Sequence, residues 1–159
     1  MRWALWIPRR FTLTNQMLSD QRAAGFAAGR GARSWGGTGA TRGHTTDRYA
    51  EEVASIRKDV ATLAKPIARD RDEQGSGVRV SVAIRIVGHE RHDPDSWLLA
   101  GKAIVDGLVT AGVLASDRRD LCYVAGRVST NKLESTMARL AIAAEADAPG
   151  AIVEITEEV

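Results

Sequence analysis

The chain has 159 residues, a length that suits one domain with a single hydrophobic core and leaves little room for a second. Hydrophobic residues make up 44% and charged residues 26%, proportions typical of a globular domain. No stretch approaches the roughly 18 apolar residues of a membrane helix, and residues 1–8 are too short for a signal peptide. We therefore expect a cytoplasmic protein with no membrane partner.

The formal charge of +2 is distributed unevenly. Residues 1–48 hold eight arginines against two aspartates, a balance of +6, while the rest holds 14 basic and 18 acidic residues, a balance of −4. A basic front half beside an acidic back half suggests an anion-binding region next to a carboxylate site, which DNA with a divalent metal would fit. The alternative is an arginine-rich disordered tail without a partner. Cys122 is the single cysteine, which excludes an intramolecular disulfide and a thiolate zinc site.

The first predicted element is a strand over residues 2–7, which Pro8 ends. Residues 21–43 are rich in Gly, Ala and Arg and have no apolar periodicity, which predicts a mobile loop. Trp35 lies within that loop and has two interpretations. It could insert or stack at a DNA branch point, or it could be a hydrophobic anchor or a disordered residue. One Gly/Arg-rich loop inside a single domain is therefore expected.

A helix follows the loop, with Thr45 or Thr46 as its N-cap and apolar residues every three or four positions as far as Leu63. Residues 69–77 predict a polar connector. Residues 78–87 alternate between apolar and polar side chains, which predicts a strand with one solvated face.

The second half begins with a charged loop over residues 88–94 and a helix over residues 95–111, with Gly112 at the C′ position that ends it. The predicted buried stripe of this helix is Leu98, Gly101, Val105 and Leu108.

Three further elements complete the pattern: a strand over residues 121–128, a helix that Thr130 caps, and a closing strand over residues 151–156. Several connections are too short for crossovers between parallel strands. We therefore expect an α+β fold, in which helices pack on a small mixed or antiparallel sheet.

Carboxylates concentrate around the second of these helices. Asp93 and Asp95 flank Pro94, whose geometry favours extended chain and places both side chains on one side. Asp95 also occupies the position of a helix N-cap, and Lys102 and Asp106 fall on the same helical stripe. Converging carboxylates repel one another and are stabilised by a divalent cation such as Mg²⁺.

Asp117 follows this helix, and it joins the other carboxylates only if the sheet topology brings it back to them. Each feature also has a simpler interpretation. Asp-Pro-Asp is most often a capped turn, Lys102 with Asp106 a surface ion pair, and Asp117 a solvated turn residue. His89 and His92 are candidate metal ligands, although most loop histidines are not.

The order of these residues is nevertheless specific. Asp93-x-Asp95-Ser96, then Lys102-x-x-x-Asp106-Gly107-Leu108, then an Ala-Gly segment that ends at Asp117, resembles the RusA family of phage and prophage Holliday-junction resolvases. The match covers about residues 78–128. The chain departs from the family pattern at Ser96, where the family has asparagine, and at Ser116, where it has aspartate.

The resemblance implies a small α+β homodimer that binds four-way DNA junctions and makes paired nicks with Mg²⁺ or Mn²⁺. It implies Asp93, Asp95 and Asp117 as metal ligands and catalytic residues, and Lys102 as a catalytic lysine. Asp106 and Ser96 are supporting candidates. We expect DNA phosphates to be contacted by arginines of the basic front half: Arg9, Arg10, Arg22, Arg30, Arg33, Arg42 and Arg48.

Two alternatives to an active endonuclease remain open at this point. One is a catalytically weak or inactive relative that still binds DNA junctions. The other is a metal-binding regulatory or assembly protein with no role on DNA.

Overall fold

The computed structural model describes residues 1–12, 43–73, 79–88, 94–116, 122–124 and 149–157. The described elements, in chain order, are β1 (Arg2–Ile7), α1 (Gly43–Leu63), α2 (Lys65–Glu73), β2 (Val80–Val87), a 3₁₀ turn (Pro94–Trp97), α3 (Leu98–Thr110), β3 (Cys122–Val124) and β4 (Gly150–Glu157).

These strands form one sheet in the order β1-β4-β2-β3. β4 lies between β1 and β2 and pairs antiparallel with both, so that Val153 is opposite Leu5 on one side and Ile84 on the other. The short β3 runs parallel to β2, with Cys122 opposite Val80. The expected α+β class with a mixed sheet is confirmed for the described part of the chain.

Alternation along the strands gives the sheet one strongly apolar face. Every second residue of β2 from Val80 to Ile86 is buried, as the pattern of the sequence predicts. These side chains join Leu5, Ile7 and Val153 in a core that also contains buried residues of α1 and α3. The two long helices therefore cover the same face of the sheet.

Helix α2 corrects an expectation, since residues 69–77 were predicted to be a polar connector but residues 65–73 are helical. Pro66 lies in the first turn of α2, where its missing N–H breaks no hydrogen bond. One face of α2 is buried, since the spacing of its three buried residues places them on the same side: Ile67, Ala68 and Arg71. Because arginine is a polar residue, the sequence pattern around Arg71 indicates a solvent-exposed segment and hides the buried face of this helix.

Arg71 is the centre of what we call the basal cluster, made of Trp3, Asp70, Arg71 and Glu157. The guanidinium lies 5.7 Å from the centre of the Trp3 ring, and its Nε is 3.4 Å from Glu157 Oε1. It also donates a hydrogen bond to the Val113 carbonyl. Trp3 Nε1 in turn donates to Asp70 Oδ2 at 2.6 Å. The cluster links α2 to two strands and to the segment that follows α3.

Most other predicted elements are confirmed where they are described. The strand over residues 2–7 has the predicted bounds, and the closing strand spans two residues more than predicted. Helix α1 begins at Gly43, so Thr45 and Thr46 lie inside it and the N-cap prediction is wrong. The loop prediction for residues 21–43, apart from Gly43, and the helix expected from Thr130 lie outside the described residues. No helix in the described segments is long and apolar enough to cross a membrane.

Candidate active site

Asp95 lies on the 3₁₀ turn that leads into α3. Trp97 anchors this turn, because its side chain is fully buried in the core. Trp97 also occupies the N-cap position of α3, with no side-chain cap bond, so the expectation that Asp95 caps this helix is wrong.

Helix α3 presents Lys102 and Asp106 near its crossing with α1. Lys102 Nζ is 3.3 Å from Asp106 Oδ1, and the Lys102 side chain is 65% exposed. Asp106 is only 17% exposed, because Arg57 on α1 donates a hydrogen bond to its Oδ2. We call Arg57, Lys102 and Asp106 the crossing cluster. The predicted surface pair of Lys102 and Asp106 is present, and Arg57 of α1 forms a second ion pair with Asp106.

Gly107 explains why the two helices come so close at this cluster. A Cβ added at Gly107 would lie 2.6 Å from Val60 Cβ and 3.1 Å from the Arg57 carbonyl oxygen, both on α1. The segment Asp106-Gly107-Leu108 thus combines three roles: a carboxylate that binds Arg57, a glycine that admits α1, and a fully buried leucine. The expected buried stripe is correct at Leu108, Gly101 and Val105 but wrong at Leu98, which is 51% exposed.

Asp106 lies too far along the helix to share one metal ion with Asp95. The rise of about 1.5 Å per residue separates the two positions by about 16 Å along the axis, whereas ligands of one Mg²⁺ lie about 2 Å from it. Lys102 is nearer to Asp95, at about 10 Å along the axis, and its long side chain shortens that gap. Asp106 is therefore better explained by its ion pairs than by metal binding.

The chain folds back at the end of α3. Gly112 has a φ of +81°, as its predicted C′ position requires, and its N–H bonds to the Val109 carbonyl at 3.0 Å. The Val113 N–H bonds to the Leu108 carbonyl at 3.0 Å, which completes a Schellman motif. The Leu114 N–H lies 3.4 Å from the same oxygen. The backbone that leads to Asp117 thus begins beside the last turns of α3 and does not continue along its axis.

The described residues contain only part of the predicted site. Lys102, Asp106 and the half-buried Ser96 are described with their side chains, and Asp95 by its backbone alone. Asp93 and Asp117 lie outside the described residues, as do His89, His92 and Trp35. No group of three or more potential metal ligands occurs among the side chains that the structure describes. Convergence of the three aspartates stays a prediction.

Two of the predicted DNA-binding arginines are described, and they differ. Arg9 is largely covered: it donates to Glu52 Oε2 at 2.9 Å, Asp59 Oδ2 at 2.5 Å and Ser55 Oγ at 2.9 Å. A phosphate would have to compete with these two carboxylates for Arg9. Arg10 is exposed. The remaining predicted arginines lie outside the described side chains: Arg22, Arg30, Arg33, Arg42 and Arg48.

Sequence reasoning missed two residues that shape this region. Arg57 lies on the exposed side of an amphipathic helix, and nothing in the pattern of α1 distinguishes it from Lys58, its neighbour. Trp97 had a visible signal, since a tryptophan two residues after Asp95 is a candidate anchor for the turn.

Comparisons of the chain with protein-family models, curated proteins and solved structures find no match. The resemblance to the RusA family therefore stays an interpretation of the ordered residues around α3.

Proposed function

We propose that this protein is a divalent-metal-dependent endonuclease of the RusA type that cuts four-way DNA junctions. The observation that carries the proposal is the ordered set Asp93, Asp95, Lys102 and Asp117, which brackets a single helix. The RusA-like form of the α+β fold, cytoplasmic location and homodimeric assembly belong to the same proposal.

Three features of the described backbone support this assignment. Asp95 lies on a turn that a buried tryptophan fixes in place, and Lys102 is exposed on the next stretch of helix. The Schellman motif folds the chain back before Asp117. The proposal requires the chain to return toward Asp95 after α3, and this fold-back is compatible with such a return.

The donor set suits a hard cation, because Asp93, Asp95 and Asp117 offer only carboxylate oxygens. Such an ion, when bound, lowers the pKa of an attacking water and stabilises the departing oxygen of a phosphodiester. The three aspartates would hold it, and Lys102 would stabilise the negative charge that develops on the phosphoryl oxygens. Ser96 would supply a hydroxyl at the edge of the same turn.

A homodimer fits the substrate, since a two-fold axis would place two such sites on the near-symmetric strands of a junction. Arginines of the basic front half would contact phosphates. Affinity should then fall steeply as salt concentration rises, because each neutralised phosphate releases counterions.

Incubation of the purified chain with an end-labelled four-way junction, in Mg²⁺, Mn²⁺ or EDTA, tests the proposal. We expect paired nicks with either metal and none in EDTA. Binding without cutting in both metals would leave a junction-binding relative that is not an enzyme. Absence of both binding and cutting would overturn the DNA assignment itself.

Asp95→Asn tests the site directly, with the exposed Asp72 on α2 as the matched control. We expect Asp95→Asn to abolish cutting and to leave the dissociation constant for the junction unchanged, while Asp72→Asn changes neither. Equal loss of cutting and binding in Asp95→Asn would identify Asp95 as a residue needed for the fold.

A further inference from the structure

The crossing cluster holds two exposed cations on one largely covered carboxylate. Asp106 accepts from Arg57 through one oxygen and from Lys102 through the other, so this aspartate contacts both cations. The Arg57 side chain remains 47% exposed despite this contact. The three side chains of the cluster sum to a charge of +1, and both cations are partly exposed to solvent.

The spacing of these two cations is set by the backbone. Gly107 lets α1 approach until the Arg57 carbonyl and Val60 touch α3, and Asp106 is the residue before that contact. Long cationic side chains normally sample many rotamers, but here both are joined to one acceptor at a fixed helix crossing. The backbones of α1 and α3 are packed closely at Gly107, while the side chains of Arg57 and Lys102 reach solvent. Such an arrangement is suited to bind an anion.

We propose that Arg57 and Lys102 form a two-cation clamp for the nucleic-acid backbone, with Asp106 as the residue that positions both. Lys102 faces the phosphate to be cut, and Arg57 binds a neighbouring phosphate of the same strand. Arginine suits that second role, since its planar guanidinium can donate two parallel hydrogen bonds to a phosphate. This inference rests on the DNA-binding part of the proposed function.

The clamp assigns Asp106 a role that differs from metal binding. As a positioning residue, Asp106 acts through Arg57 and Lys102. Its replacement by Asn raises the local charge from +1 to +2, so DNA binding should be retained or become tighter. Cutting should slow because the cations are no longer held in place, while the Mg²⁺ concentration for half-maximal cutting stays the same.

Binding measured by fluorescence anisotropy tests the Arg57 contact. The probes are a labelled four-way junction and a labelled duplex in EDTA, from about 50 to 200 mM salt. We expect Arg57→Gln to weaken binding about five- to tenfold and to reduce the slope of log K against log salt by about one. Arg57→Lys should restore the slope but only part of the affinity.

Lys58 provides the matched control. It is exposed, next to Arg57 in sequence, and lines a groove with Pro8 and Leu63 on another side of α1. Lys58→Gln removes the same charge from the chain but should leave the salt slope within experimental error of wild type. Thermal melting of each variant should show that the fold is intact.

Each result has a distinct meaning. If Arg57→Gln and Lys58→Gln behave alike, or if Asp106→Asn raises the Mg²⁺ requirement, the clamp is overturned while the nuclease function stands. If wild type binds DNA without cutting and Arg57→Gln still lowers the salt slope, the nuclease function is overturned and the clamp stands. If wild type binds no DNA, both are overturned.

Discussion

The basal cluster and the crossing cluster are each built around an arginine of the helical segment 43–73, yet they differ in burial. Arg71 is enclosed by Trp3, Glu157 and the Val113 carbonyl, whereas Arg57 touches one carboxylate and remains half exposed. A buried cation needs partners in the protein that replace its lost water, while an exposed cation can keep its partner and still contact a ligand. The buried arginine therefore stabilises the fold, whereas the exposed arginine keeps much of its contact with solvent.

The largest effect is expected for Arg71→Met. The substitution removes the arginine from its ion pair with Glu157 and leaves the Val113 carbonyl without its donor, which should lower the free energy of unfolding by about 3–5 kcal/mol. Urea denaturation measures this loss. Arg69→Met, at an exposed position of the same helix, should change stability by less than about 0.5 kcal/mol. Equal effects at the two positions would remove the distinction between buried and exposed arginines.

Gly107→Ala tests the geometry beneath the crossing cluster. In an exposed helix this change stabilises by about 1 kcal/mol, but here the new Cβ would lie 2.6 Å from Val60 Cβ. We expect a loss of about 1–3 kcal/mol, because α1 and α3 must move apart. Thr110→Ala, exposed on the same helix, is the control and should be nearly neutral. A gain of stability for Gly107→Ala would show that the helices do not meet closely there.

Gly112→Ala tests the backbone conformation at the C-terminal end of α3. No atom lies within 4 Å of the added Cβ, so the effect is purely conformational. A φ of +81° should cost about 1 kcal/mol for alanine. Asparagine tolerates this region better, so Gly112→Asn should lose less stability than Gly112→Ala in the same thermal melts. The reverse order would contradict the Schellman motif.

The smallest stability effect is expected for Arg57→Gln. An exposed ion pair contributes about 0–1 kcal/mol, so chemical denaturation should barely distinguish the variant from wild type. The same substitution is expected to weaken DNA binding severalfold. A loss of stability close to that of Arg71→Met would instead make the crossing cluster a structural element.

Much of the fold follows from local patterns in the sequence. β2 is predicted by strict alternation, β1 by alternation that a proline ends, and the end of α3 by the one glycine that a C′ position favours. These features depend on neighbours along the chain, which a sequence displays directly. The α+β class follows from the order of the elements.

The errors have tertiary causes. Arg71 is buried although it is charged, and Leu98 is exposed although it is apolar. Burial depends on which element packs against each side chain, and the sequence pattern does not show this. The pair of Lys102 and Asp106 follows from their spacing, but Arg57, the other partner of Asp106, lies 49 residues away in sequence, and no periodicity encodes that contact. The metal site depends in the same way on how Asp117 approaches Asp95, which local spacing does not determine.

The central position of β4 affects how the protein is made. β1 and β2 do not pair with each other; each pairs with β4, which the ribosome completes only after residue 157. A nascent chain that stops before Gly150 lacks the strand that joins β1 to β2 and β3, so folding depends on contacts of very large sequence separation. We expect the four-stranded sheet to assemble only after β4 has been translated.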